Sequence, residues 1–260
     1  MHFLALATDY DGTLAEDGVV APPTIAALEK LKRTGRRVVL VTGRELPELK
    51  RVFEKIAICD RIVAENGALL YNPNTGEERV LVPPPPALFV ETLRQRGVEP
   101  LSVGRAILAT WEPNETKVLE VIHDLGLEYQ ITFNKGAVMV LPTGTNKAAG
   151  LIPALDELGI SPERVVGIGD AENDHAFLRA CGCAAAVANA LPAVKDEADI
   201  RLLGARGAGV IELIEMILER EEALIRSEQR RRRSLIPETA RLGTHGNTDQ
   251  SGRRTDPAVP

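Results

Sequence analysis

Phe3-Leu4-Ala5-Leu6-Ala7-Thr8-Asp9-Tyr10-Asp11-Gly12-Thr13 is the stretch whose reading decides the fold. An apolar run of strand length ends in two carboxylates, and a glycine then turns the chain. At the end of a first strand, one carboxylate can attack a phosphoryl group while the other moves a proton. The leading expectation is therefore phosphate chemistry, provided that the remaining parts of such a site follow in a workable order.

Apolar runs and helical patterns alternate outward from this point, the pattern of βαβ units and a parallel sheet. Pro22, Pro23 and Thr24 open a helix with apolar positions at Ile25, Leu28 and Leu31 that ends at Gly35. Val38 to Val41 reads as a strand running into Thr42-Gly43-Arg44, and Leu46 to Ile56 as a helix with Pro47 in its first turn. Arg61 to Ala64 is a further strand. Glu65-Asn66-Gly67 after it reads as a hairpin turn rather than a ligand, leading into Ala68 to Tyr71. Pro83-Pro84-Pro85-Pro86 interrupts this pattern as a stiff extended hinge.

Beyond the hinge, helical patterns at Leu88 to Arg96 and Glu115 to Leu125 interleave with strand-like segments near Ile107 to Trp111, Tyr129 to Phe133 and Ala137 to Leu141. The first pattern then resumes with a helix at Lys147 to Leu158 and a strand at Val165 to Ile168 ending in Gly169-Asp170. A helix at Glu172 to Ala180, strands at Ala184 to Val187 and near Ile200, and a closing helix at Val210 to Leu224 complete it. The fold class expected is α/β: a Rossmann-like parallel sheet core with helices on both faces, plus a smaller α/β cap. The domains expected are a core over 1–83 and 143–225, an inserted cap over 84–142, and a disordered tail over 226–260 that carries the run Arg230 to Arg233.

Composition restricts the function classes. The chain has 260 residues, 44% of them apolar, and a formal charge of −6. A core can be buried, and the acidic balance argues against a general nucleic-acid binder. No run approaches the roughly 18 to 20 apolar residues of a membrane span, and Asp9 interrupts the apolar start before a secretory segment could form, so a cytoplasmic protein is expected. Cys59, Cys181 and Cys183 have neither zinc-ribbon nor redox-pair spacing and read as small core residues.

Four polar stations fall at the ends of separate core strands or just beyond them: Asp9 with Asp11, Thr42, Lys147, and Asp170 with Asn173 and Asp174. In open parallel sheets ligands bind at the carboxyl ends of the strands, where stations distant in sequence converge. Taken singly, Asp-x-Asp-Gly-Thr is also a turn and Lys147 also a solvated residue at a helix start; the ordered set points to catalysis.

On these residues the chain resembles the haloacid dehalogenase superfamily. The match rests on Asp9-Tyr10-Asp11-Gly12-Thr13, Val41-Thr42-Gly43-Arg44, Glu65-Asn66-Gly67-Ala68, Asn146-Lys147 and Gly169-Asp170-Ala171-Glu172-Asn173-Asp174, and covers residues 3 to about 222. Within it the chain looks like the Cof-type, subfamily IIB phosphatases with an α/β cap, similar to phosphoglycolate phosphatases. The resemblance implies that Asp9 is the nucleophile that becomes an aspartyl-phosphate and that Asp11 is the general acid and base. It further implies a magnesium ion held by Asp9, Asp11 through its backbone carbonyl, Asp170 and Asp174, with Gly12, Thr42, Gly43, Lys147 and Asn173 binding phosphate. Hard oxygen donors suit magnesium, and a lysine offsets the charge that phosphoryl transfer gathers.

The spacing narrows the resemblance. The 28 residues between Thr13 and Thr42 are consumed by one helix and one strand, whereas the 104 between Thr42 and Lys147 hold the cap. This disfavours readings resembling β-phosphoglucomutase or dehalogenases, which place a cap earlier. Trehalose-phosphate phosphatases share Asp9 to Leu14 but differ from Asp170-Ala171-Glu172-Asn173-Asp174. The substrate expected is a small phosphorylated metabolite, a sugar phosphate or phosphoglycolate-like. A phosphomutase of the phosphomannomutase type and a phospho-acceptor signalling switch stay open as alternatives. Arg105, Trp111, Asn134 and Lys135 are candidates to contact the leaving group, and the oligomeric state is open.

Overall fold

The computed structural model describes residues 2–134 and 136–219. Lys135, the tail over 226–260 and the far end of the closing helix lie outside them. The chain begins with β1 (Ala5–Thr8), α1 (Pro22–Arg33), β2 (Arg37–Val41), α2 (Leu46–Val52), β3 (Arg61–Ala64), β4 (Leu69–Tyr71) and β5 (Glu78–Val80). Next come α3 (Ala87–Gln95), β6 (Ser102–Val103), β7 (Leu108–Trp111), α4 (Glu115–Asp124), β8 (Tyr129–Asn134) and β9 (Ala137–Pro142). The last part holds α5 (Lys147–Leu158), β10 (Val165–Gly169), α6 (His175–Ala180), β11 (Cys183–Ala186), α7 (Pro192–Glu197), β12 (Ile200–Arg201) and α8 (Arg206–Glu219).

An 8-stranded sheet runs in the order β12-β11-β10-β1-β2-β3-β4-β5. Neighbours from β12 to β3 are parallel, while β4 and β5 close the edge antiparallel, so the sheet is mixed. Every residue of β1 and β10 is buried, the burial expected of strands covered on both faces. The steps β1 to β2 and β10 to β11 run in opposite directions along the sheet. Right-handed crossovers therefore put α1 and α6 on opposite faces; α1 packs with α8, and α6 with α5. The order reverses beside β1, which opens a crevice at the carboxyl ends of β1 and β10.

A separate 4-stranded sheet, β6-β7-β9-β8, forms from residues 102–142. α3 and α4 bury Phe89, Leu93, Val118 and Val121 with Leu108, Val138 and Val140. Val138 and Val140 alternate with Met139 and Leu141, which belong to a different cluster with Ala68, Ala106 and Ile107. That cluster joins the two sheets.

Some elements differ from expectation. The helix expected to reach Ile56 stops at Val52, because Phe53 leaves helical geometry at φ −117° and ψ 80° and sets its ring 5.6 Å from that of Tyr10 in the core. The Glu172 to Ala180 helix divides into a tight turn over Glu172–Asp174 and then α6. β5, β6 and α7 are too short for periodicity to reveal. All three cysteines are buried and unbridged, and burial pushes the Cys59 thiol up to about 12. Among the described residues, no helix is long and apolar enough to cross a membrane.

The turn after β3 packs tightly against the chain that enters α5. Gly67 holds φ 105°, and a Cβ there would collide with the backbone carbonyl oxygen of Asn146. Gly67→Ala is therefore expected to destabilise the protein by about 3 kcal/mol or more. Urea unfolding of the variant beside the parent checks this; a loss under about 1 kcal/mol would mean that the junction relaxes.

Candidate active site

Asp9 and Asp11 follow β1, and the chain turns at Tyr10 between them. Tyr10 between them points inward, fully buried, and donates its hydroxyl to the Gly18 carbonyl at 2.9 Å. Gly12 then turns the chain at φ 88°, a left-handed conformation that glycine adopts without strain, and its N–H donates to Ala15 O at 3.0 Å. The segment thus brings both Asp9 and Asp11 to one cavity while Tyr10 anchors the loop in the core.

Lys147 is the first residue of α5, a helix held at its start by Asn146, whose Oδ1 accepts from Ala149 N at 3.0 Å. Lys147 is only 1% exposed. Its Nζ donates to Asp9 Oδ1 and Asp174 Oδ1, both at 2.6 Å. The solvated reading of this lysine is thereby set aside. A cation at a helix N-terminus is disfavoured by the helix dipole, so its place depends on these two carboxylates.

Asp170 ends β10 and accepts from Thr13 Oγ1 at 2.8 Å. Asp174 folds back onto the same loop, its Oδ2 accepting from the N–H groups of Asp170 at 2.8 Å and Ala171 at 2.9 Å. Only glycine fits at 169, since a Cβ there would lie 2.6 Å from Asp174 Oδ2. Asp9, Asp170 and Asp174 are all buried and bring carboxylate oxygens within 4.8 Å of one another.

Electrostatics follow from this crowding. Burial pushes the Asp9 carboxyl well above its ordinary value; the Lys147 ammonium opposes this, and Asp174 and Asp170 add to it. For Lys147 burial acts downward, but Asp174 and Asp9 outweigh it and hold the ammonium above the usual lysine range. Three buried carboxyl groups gather around one ammonium. An all-oxygen donor set fits a hard divalent cation.

The remaining stations surround this centre. Thr42, fully buried beyond β2, accepts from Arg44 N at 3.1 Å. Gly43 lies under the second sheet: a Cβ there would be 3.1 Å from Met139 Sδ and 3.7 Å from Asn173 Nδ2. Asn173 donates to Asn66 Oδ1 at 3.2 Å, and its own Oδ1 is buried without a partner. Asp11 turns its side chain away from the acidic cluster. Arg44 holds it in a bidentate pair, Nε to Oδ2 and Nη2 to Oδ1, both 2.7 Å, and the Asp11 carboxylate in turn holds the Arg44 guanidinium above its ordinary value.

A cavity of about 480 Å³ opens over Asp9, Asp11, Gly43 and Arg44, closed on its far side by Trp111, Asn134 and Met139 of the second sheet. Trp111 and Asn134 were expected at the leaving group and do line it. Arg105 instead pairs with Glu78 at 2.8 Å on the surface. Sequence reasoning gave no role to Thr13, Arg44, Glu65 or Asn66. Arg44 and Glu65 stand inside motifs already quoted, but their partners are 33 and 40 or more positions away, beyond any local pattern.

Comparison with known proteins agrees with this geometry. A profile described as haloacid dehalogenase-like hydrolase matches residues 6–100 and 107–214. The chain is 31% identical over 228 residues to phosphoglycolate phosphatase 2 of Saccharolobus solfataricus, covering 83% of this chain and 92% of that one. A haloacid dehalogenase-like hydrolase from Bacteroides thetaiotaomicron superposes with a TM-score of 0.70 at 20% identity, over 83% of this chain and 99% of that one. A subclass IIB sugar phosphatase of the same superfamily superposes with a TM-score of 0.65 at 21% identity, over 85% and 99%. With its carboxylates converging where β1 and β10 end, the chain belongs to the haloacid dehalogenase-like hydrolase family and is a phosphoric monoester hydrolase of the Cof type.

Proposed function

We propose that the protein hydrolyses the phosphate monoester of a small metabolite, of the phosphoglycolate or sugar-phosphate class, through an aspartyl-phosphate on Asp9 and with magnesium as cofactor. The observation that carries this reading is the buried convergence of Asp9, Asp170 and Asp174 on the single ammonium of Lys147. The phosphoglycolate phosphatases among its relatives support the substrate class. In this reading residues 84–142 act as a cap over the cavity.

Asp9 attacks phosphorus while the bond to the leaving oxygen breaks, and Asp11 gives that oxygen a proton. Water then attacks the phosphorus of the aspartyl-phosphate as Asp11 takes a proton back; inorganic phosphate leaves and Asp9 is regenerated. Both Asp11 oxygens are engaged by Arg44, so this role requires at least one of those bonds to release. Lys147 offsets charge on Asp9 and on the phosphoryl group, while Gly12, Thr42, Gly43 and Asn173 surround the phosphate oxygens. Asp9, the Asp11 carbonyl, Asp170 and Asp174 would hold magnesium, and Asp174 also ties Lys147 to the loop. When bound, the ion supplies positive charge that screens the phosphate from the carboxylates.

A panel of phosphate monoesters that includes 2-phosphoglycolate and hexose phosphates, assayed with magnesium or with EDTA, tests the proposal. Release of inorganic phosphate is expected to fall on the order of 10²-fold or more without the metal. Metal-independent turnover would sink the reading, and phosphate transfer between sugar carbons without release would establish a mutase instead.

A further inference from the structure

Glu65 stands in the turn between β3 and β4 and is 0% exposed. A buried carboxylate demands partners, and here they are backbone amides of the loop that enters β7. Arg105 N donates to Oε1 at 2.9 Å, and Ala106 N and Ile107 N donate to Oε2 at 2.9 and 3.3 Å. Successive amides gathered around one anion form a backbone nest. Gly104 admits the carboxylate, since a Cβ there would lie 2.6 Å from Glu65 Oε2.

The same turn reaches the phosphate side of the site. Glu65 N donates to Arg44 O and Asn66 N to Thr42 O, each at 3.0 Å, and Asn66 Oδ1 accepts from Asn173 Nδ2. Glu65 and Asn66 hold φ 51° and 54°, a left-handed backbone that non-glycine residues seldom adopt. On the other side of the nest, the loop continues into Ile107, Ala109 and Trp111, which line the cavity.

We infer that Glu65 is a positioning residue that locks the 104–107 loop to the turn anchored on Thr42 and Arg44, so that the loop lining the leaving-group side of the cavity is held in register with the phosphate site. The inference rests on the function proposed above. Glu65→Gln sets an amide donor against the loop amides, and Gly104→Ala displaces the carboxylate from the opposite side.

In the full-length protein, each variant is expected to accelerate hydrogen exchange of the Arg105, Ala106 and Ile107 amides at least about tenfold, with β1 and β10 unchanged. With magnesium, kcat/KM for 2-phosphoglycolate is expected to fall about tenfold or more. For p-nitrophenyl phosphate, whose leaving group departs readily, the change is expected to stay within about threefold. Because both substitutions break one contact, the double variant should be no worse than the more impaired single variant. Unchanged exchange in the loop, or equal losses on both substrates, overturns the inference. Should Glu65→Gln fail to fold, Gly104→Ala decides by the same readouts. A parent protein inert toward every monoester refutes the proposed function instead, and the exchange measurement then decides alone.

Discussion

Asp9→Asn is expected to reduce phosphate release on the order of 10⁴-fold or more, while leaving a folded protein that is more stable than its parent when divalent cations are removed. The loss follows from the proposed mechanism, in which an amide is a poor nucleophile and no aspartyl-phosphate would form. The gain follows from crowding, because Asp9 shares its buried surroundings with Asp170 and Asp174. Folding raises the Asp9 pKa above its ordinary 3.8, so the folded chain holds that proton more tightly than the unfolded chain. The resulting stabilisation is full below 3.8 and is lost as pH rises through the folded value. Metal-free parent protein should therefore lose stability through this group as pH rises above 3.8, and Asp9→Asn should lack that component. Thermal melts in EDTA from pH 5 to 8 measure the difference, and phosphate release measures activity. A variant that keeps near-parental turnover would remove Asp9 from the mechanism.

Lys147→Met is expected to lower kcat by about 10² to 10³-fold and to destabilise the protein by about 3–5 kcal/mol. Methionine keeps much of the side-chain volume, so the effect comes from charge. With both 2.6 Å ion pairs gone, Asp9 and Asp174 stay buried with no counter-charge from this side chain. Adding Asp9→Asn to Lys147→Met should recover part of the stability and none of the activity. Urea unfolding of both single variants and the double variant provides the cycle. Strictly additive changes in stability would show that the two residues act independently.

The strand-and-helix order was legible because parallel strands buried on both faces leave continuous apolar runs, as in Val38–Val41 and Val165–Ile168. The stations at Asp9, Thr42 and Asp170 were legible because each sits where such a run stops, whereas Lys147, expected just beyond a core strand, opens α5 after β9 of the second sheet. The edges were not: β6 has two residues, both exposed, and β5 has three exposed residues, so neither carries a burial pattern. Nor were the partnerships within the site. Glu65-Asn66-Gly67 was correctly readable as a turn, since Asn-Gly favours that backbone, but the nest that its carboxylate fills is built from amides, which have no sequence signature. Likewise Arg44 announces a positive charge, and only the fold shows that it falls on Asp11. The expected roles of these side chains depend on angles and distances that the one-dimensional pattern does not encode.

The placement of β1 has a consequence for how the chain acquires its structure. β1 pairs on one side with β2, about thirty residues later, and on the other with β10, Ala5 opposite Val165. The strand that leads into Asp9 is thus synthesised well before its partner β10 and is among the last to be enclosed. Closing so long a loop slows the final docking step, whereas residues 102–142 complete their own sheet from near neighbours. Until β10 arrives, β1 presents an open apolar edge of the kind that invites pairing with other chains. A chain halted before Val165 should therefore aggregate rather than persist as a soluble half-enzyme.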